Sequence, residues 1–422
     1  MEVFLSYFMN KQKQISVENT EFFYMVSLYG IFRLLTISMS KHILFVLDYF
    51  SPHKWGAETV FDNITKRLVA QWYRITVLTS HFDKKLKKYE KQHKIDIYRS
   101  GKNRIAFLWK WFWTGRKIIK NFQQQWEAID LIHTSTYWWA LPAWALGKLF
   151  HKKTLLTVHE VFGKLRYVYK WKFRGFLFLC FEKLIFSVHY NYYHSVSRYT
   201  MNALRLMYGI SDAKIRTIYN WIDTDFWDID KVDKKNIAQL RDKYQRNKDF
   251  VVLYYGHSGK SKWLDFLIQA LPEIINNLND LHLVFNLIPA ERDQICKTEI
   301  QKQVGKLEKH KQSKVHVFSW MPLKELRDLV ASCNVVIAPS LAEGFGSVHT
   351  EATAMWKTLI TTDIWPLPEV LSGKVIFIRP QDSQAIVKAI DTARNWNITK
   401  IPEKHFSWDV CVKEVEEVYR IT

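Results

Sequence analysis

Cysteine is scarce in this chain. Cys180, Cys296, Cys333 and Cys411 are scattered without metal or disulfide spacing, which suits a reducing compartment and ordinary core positions. Histidines at a metal-binding interval are missing too, so nothing in the sequence matches a metal site. Acids are short: 41 Asp or Glu stand against 61 Lys or Arg, a net charge of +20. A membrane-length apolar run is also absent. Phe22 to Ile37 falls below the roughly 20 residues a span needs, contains Arg33, and has no small-residue cleavage site. Solenoid repeats and low-complexity tracts are lacking, which excludes quasi-linear arrays.

With 422 residues and 48% apolar content, the chain can bury two cores, because single cores stop growing at about 250 to 300 residues. The positive surplus is uneven: residues 81 to 120 hold 13 Lys or Arg against 3 acids. Such a field attracts an anion. The cations are interleaved with bulky rings in Trp109-Lys-Trp-Phe-Trp113 and Tyr167-Val-Tyr-Lys-Trp-Lys-Phe173, a pattern that favours an anionic bilayer surface over a solvated face or nucleic acid. Residues 1–38 fit poorly with the rest of the chain. They read either as an extension upstream of a better start at Met39 or as a short interfacial anchor.

From His42 onward, short β-rich runs alternate with helix-length segments. His42 to Phe50, Ile75 to Ser80, Leu131 to Ser135, Thr154 to His159 and Tyr192 to Ser197 form one series. Phe250 to Tyr255, Leu281 to Leu287, Val315 to Trp320, Val335 to Ala338, Thr358 to Thr362 and Val375 to Ile378 form a second. This βαβ rhythm predicts two α/β domains with parallel sheets, about 39–218 and 219–404.

The chemistry concentrates after Val335 to Ala338. There Pro339-Ser-Leu-Ala-Glu343-Gly344-Phe345-Gly346-Ser347-Val-His-Thr-Glu351 places two glutamates with seven residues between them. Proline and glycine make a loop, a helix opens near Ser347, and its free N–H groups point at an anion. Two carboxylates flanking a phosphate cradle suit a nucleotide sugar: Glu343 for hydroxyls near the reacting carbon, Glu351 for a ribose. After Phe250 to Tyr255, the loop Gly256-His257-Ser-Gly259-Lys260-Ser-Lys262-Trp263 holds two lysines at the sheet's mouth.

This pattern resembles the E-x7-E signature of family 4 retaining glycosyltransferases, over about Lys41 to the C-terminus. The resemblance implies the GT-B fold, two facing Rossmann-like domains with a deep interdomain cleft. Residues 39–218 would bind the acceptor, 219–404 the nucleotide sugar, and the helix in 405–422 would return to the first domain. It implies that Lys262 grips the donor diphosphate, with His257 where an arginine is usual and Trp263 where a glycine is usual. By the same resemblance Gly56 comes close to donor phosphate and acceptor, His159 faces the sugar across the cleft, and Arg198 faces the cleft. Glu369, in a turn where Trp365 and Pro366 replace two glycines, lines the nucleotide wall. The implied activity is transfer from a UDP- or GDP-sugar to a glycan or lipid-linked hydroxyl, with retention and without metal or cofactor. The expected setting is bacterial surface polysaccharide synthesis, in the cytoplasm, peripheral on the inner membrane face, with no nucleic acid partner. A sugar-nucleotide epimerase, a phosphorylase and a non-catalytic scaffold are the rival readings.

Overall fold

The computed structural model describes residues 41–421 except 54–55, 102–107, 126, 170–171, 246–248, 279, 288–292, 320, 396–397, 399 and 405. The leader at 1–38, and with it the choice between a wrong start and an anchor, lies outside the described residues. The first eight strands form one sheet: β1 His42–Val46, β2 Arg74–Ser80, β3 Tyr89–Gln92, β4 Ile95–Ser100, β5 Leu131–Ser135, β6 Lys153–Val158, β7 Tyr192–Ser195 and β8 Ile215–Thr217. Their spatial order is β3-β4-β2-β1-β5-β6-β7-β8. Only the edge strand β3 runs antiparallel to its neighbour among these pairs.

The second sheet contains β9 Phe250–Gly256, β10 Leu281–Leu287, β11 Val315–Phe318, β12 Val335–Ala338, β13 Thr358–Thr362, β14 Gly373–Ile378 and β15 Lys400–Ile401, in the order β11-β10-β9-β12-β13-β14-β15. Both are open, mostly parallel sheets with helices on their faces, the arrangement sequence periodicity predicts for apolar runs buried on both sides. In each sheet the strand order reverses once at its centre, between β1 and β5 and between β9 and β12. Crevices at the carboxyl ends of such strands are where ligands bind.

The chain crosses between the domains twice. Ile218, Trp221 and the C-terminal helix Trp408–Ile421 share one core with β1 and β2, through Trp408, Cys411, Val415 and Tyr419. Val196, at the end of β7, instead packs with Tyr255, Ala338 and Phe345 of the second domain. The aromatic-cationic segment divides by facing. Trp109 and Trp113 are exposed on helix Leu108–Gln124, whereas Trp111 is buried, its indole N–H donating to the Ser100 carbonyl at 2.7 Å. Trp111 is a core residue and offers nothing to a bilayer.

Candidate active site

Strands β9 and β12 are neighbours, so the loops at their carboxyl ends meet. Lys262 closes a short 3-10 turn, Lys260–Lys262, and its ammonium lies 2.5 Å from Oε1 of Glu343. Ser340 donates to the same oxygen at 2.6 Å, and Nδ1 of His349 stands 3.8 Å away. Burial acts to raise the Glu343 carboxyl, but the Lys262 charge and these hydrogen bonds prevail and hold it below its ordinary value. It is a carboxylate at neutral pH. His349 is pushed down to about 4, chiefly by burial, and is a neutral ring whose Nε2 meets the Ala338 carbonyl at 3.1 Å.

The helix Ser347–Ala354 begins where the loop ends. Gly346 takes φ +97°, and a Cβ there would lie 2.8 Å from Leu367 and 3.1 Å from the His349 ring, so only glycine fits. Ser347 is exposed at the helix start, where N–H groups have no intrahelical acceptor. One turn on, Glu351 accepts from the Tyr255 hydroxyl at 3.2 Å, and Tyr255 also donates to the Val348 carbonyl at 3.0 Å. Burial pushes the Glu351 carboxyl up to about 8 against that hydrogen bond, although part of the residue keeps contact with solvent.

The first domain closes over this loop. Gly344 lies so near the turn after β6 that a Cβ on it would sit 1.7 Å from the His159 carbonyl oxygen and 3.1 Å from Cγ of Glu160. His159 is held neutral, pushed down to about 3 by burial, and its Nε2 is buried without a partner. An unpaired buried nitrogen costs about 1 to 3 kcal/mol, a cost that a ligand hydroxyl at this point would relieve. Glu160 is raised to about 7, chiefly by burial, with Lys262 opposing and Glu343 adding. Its backbone carbonyl accepts from Tyr137 at 2.6 Å.

Residues 56–226 match the model for Glycosyltransferase Family 4, and residues 236–399 match that for Glycosyl transferases group 1. The chain belongs to glycosyltransferase family 4. It is similar to an uncharacterized glycosyltransferase of Methanocaldococcus jannaschii, 25% identical over 54% of this chain and 59% of the relative. It is also similar to the GPI3 subunit of a Saccharomyces cerevisiae phosphatidylinositol N-acetylglucosaminyltransferase, 22% identical over 90% of this chain and 83% of that one. Among solved structures, Anabaena HepE in complex with UDP-glucose superposes with a TM-score of 0.66 at 18% identity, covering 84% of this chain and 90% of that one. The fold is GT-B.

Within this glycosyltransferase, the structure thus brings Lys262, Glu343, Gly344, Gly346, Ser347, Glu351 and His159 to one place. Phe345 between them is buried against Phe406. His257 departs from a cation's role: its Nδ1 accepts the Gly259 N–H at 2.8 Å, so the ring bonds within its own loop as an acceptor. Gly56 is exposed at the start of helix Gly56–Ala70, with open space where its Cβ would be. Glu369 and Arg198 stand elsewhere. The Glu369 carboxylate accepts from the backbone N–H of Arg198 at 2.7 Å and of Tyr199 at 3.2 Å, and from the Tyr219 hydroxyl at 2.7 Å. It caps the helix Arg198–Tyr208 across the domain boundary, because a helix N-terminus draws a carboxylate. The site also recruits Glu160, Tyr255, Ser340 and His349, which sequence reasoning did not single out. Their signal is only their position: Tyr255 near the carboxyl end of β9, Glu160 just after β6, and Ser340 and His349 inside the signature stretch. Among the described residues, no group of three His, Cys, Asp or Glu side chains is placed to hold a metal ion.

Proposed function

We propose that this glycosyltransferase moves a sugar from a nucleotide diphosphate donor to a hydroxyl of a glycan or lipid-linked acceptor, with retention at the anomeric carbon. The observation that carries this is the Lys262–Glu343 pair at the mouth of β9 and β12, beside the open start of helix Ser347–Ala354. In the free protein each charge satisfies the other. A donor would divide them, taking the ammonium and the helix N–H groups onto its diphosphate and the carboxylate onto a sugar hydroxyl. Positive charge on the sugar ring and negative charge on the leaving phosphate would then each find a fixed counter-charge, needing neither metal nor cofactor. Glu351 takes the ribose and His159 the sugar. The departing phosphate takes the acceptor proton on the same face, so the new glycosidic bond forms where the old one breaks.

The HepE complex with UDP-glucose supports a UDP-sugar donor. The yeast relative is by name a subunit of a phosphatidylinositol N-acetylglucosaminyltransferase, which supports an acceptor carried on lipid. Exposed Trp109 and Trp113 beside Lys110 and Lys117 suit an anionic membrane surface, and no helix among the described residues is long and apolar enough to cross one. A peripheral enzyme of the inner, cytoplasmic face, building bacterial surface polysaccharide, fits these features. The test is a screen of UDP- and GDP-sugars by binding and hydrolysis, with Lys262→Ala and Glu351→Ala. Lys262→Ala should lose mainly turnover and Glu351→Ala mainly donor affinity. Unchanged rates in both would remove this assignment.

A further inference from the structure

A second cavity lies between the domains, away from the lysine–glutamate pair. It is an open groove of about 920 Å³, within the size range of small-molecule sites. One wall is the helix Arg198–Tyr208, through Tyr199, Leu206 and Met207; the other is Trp365 and Phe406, with Tyr219 between them. Phe406 also packs on Phe345 of the signature loop at 5.5 Å and on Tyr219 at 5.2 Å. The aromatic lining therefore runs up to the donor loop.

Most polar groups in this wall are already engaged. Glu369 accepts from two backbone N–H groups and the Tyr219 hydroxyl. The Lys404 ammonium donates to the carbonyls of Pro368 and Glu369, both at 2.9 Å. Beside the exposed guanidinium of Arg198, this wall offers Asn202, the Tyr199 hydroxyl and the Trp365 indole N–H, few groups for a saccharide among Leu206, Met207, Ala203 and Phe406. Leu206 is 85% exposed and Trp365 57% exposed, a cost in apolar area that an apolar ligand would remove. The helix that packs beside Arg198–Tyr208, Lys172–Ser187, presents Phe173, Phe176, Leu177 and Leu184 outward with Arg174 and Lys183. The single acid on that helix, Glu182, is buried and bonded to Arg166, Tyr208 and the Gly163 N–H.

We propose that this cavity binds the hydrocarbon chain of an amphiphile whose anionic phosphate head is held by Arg198. The inference rests on the lipid-linked acceptor reading and names where its chain lies. One cation above an aromatic slot fits one phosphate and a chain. The neighbouring outward apolar face, flanked by cations, suits delivery from an anionic bilayer.

Isothermal titration of the full chain with decyl phosphate below its micellar concentration tests this, against inorganic phosphate and decyl maltoside. Decyl phosphate should bind at least tenfold more tightly than inorganic phosphate and about fivefold more tightly than decyl maltoside. Leu206→Gln, at an exposed position, should weaken it about fivefold and Trp365→Ala about tenfold, while Arg198→Gln should bring it level with decyl maltoside. UDP-glucose affinity in Leu206→Gln should stay at its wild-type value. Equal binding of inorganic phosphate and decyl phosphate, tighter binding of the maltoside, or insensitivity to both Leu206→Gln and Trp365→Ala would overturn the proposal. Failure of the transferase reading shows separately, as loss of UDP-sugar binding and hydrolysis in the wild type with decyl phosphate binding intact.

Discussion

Gly344 satisfies a constraint that no other residue meets, because any Cβ there lands 1.7 Å from the His159 carbonyl oxygen. Backbone is on the other side, so the neighbour cannot swing away and the domains must part instead. Gly344→Ala should cut sugar transfer about a hundredfold, since misplacement near 1 Å has that scale of effect, with a melting temperature close to wild type. Wild-type turnover would show that the cleft opens there without penalty. Glu351 makes a pH prediction. Its carboxyl stands at about 8 against an ordinary 4.5, so the fold favours the protonated form and that contribution fades as pH rises through 8. Ribose hydroxyls are better accepted by the carboxylate, so donor affinity should climb from pH 6.5 to 8.5 and stay flat in Glu351→Gln. Calorimetry at each pH reads this, and parallel slopes would take Glu351 off the ribose. The spacing of Glu343 and Glu351 is legible in the sequence because one loop and one helical turn set it. Glu160 is not, because its charged neighbours Lys262 and Glu343 arrive from 102 and 183 residues further along the chain.

Short β-rich runs led by Leu, Ile, Val or Thr are readable as elements: β5, β10, β12 and β13 have the bounds that the sequence predicts. Tyr89–Gln92 escapes that reading because its residues are mostly exposed at a sheet edge, and β8 and β15 because three and two residues carry no period. The loop after β9 shows a local rule broken and compensated. Trp263 stands where the family has glycine, yet it keeps the left-handed backbone, φ +46° and ψ +36°, that glycine would adopt freely. That conformation costs a bulky residue about 1 to 2 kcal/mol. Its ring is buried and meets Phe266 edge-on at 5.0 Å, and deleting a buried indole costs about 3 to 5 kcal/mol. Packing wins, so Trp263→Gly should destabilise the chain by about 2 kcal/mol in urea unfolding rather than restore a family norm. A gain in stability would show that backbone strain outweighs the burial of the ring.

Both crossings between the domains are tied beneath the first sheet by one buried chain of hydrogen bonds. The Tyr419 hydroxyl meets Nδ1 of His133 at 2.6 Å, His133 Nε2 meets Thr157 at 2.7 Å, Thr157 meets His194 Nδ1 at 3.0 Å, and His194 Nε2 meets the Ile218 carbonyl at 2.8 Å. Burial keeps these rings neutral: His194 is pushed down to about 4 and His133 is lowered further from charge by the adjacent His194 as well. His42 and His349 are also near 4, and His159 near 3. An unfolded histidine takes its proton at about 6.5, so stability is whole above that value and falls as pH drops toward 4, by about 1.4 kcal/mol per pH unit for each histidine. Glu160 and Glu351, raised to about 7 and 8, act in the opposite sense: their contribution is whole below about 4.5 and is lost as pH rises through their folded values. Histidines dominate the acid side and the glutamates the alkaline side, so the urea midpoint should peak near pH 6.5 and decline in both directions. His194→Gln should flatten the acid limb by about one proton while leaving the alkaline limb in place. A midpoint that rises steadily from pH 5 to pH 9 would mean that these rings are reached by water, and the buried tie between the two crossings would have to be given up.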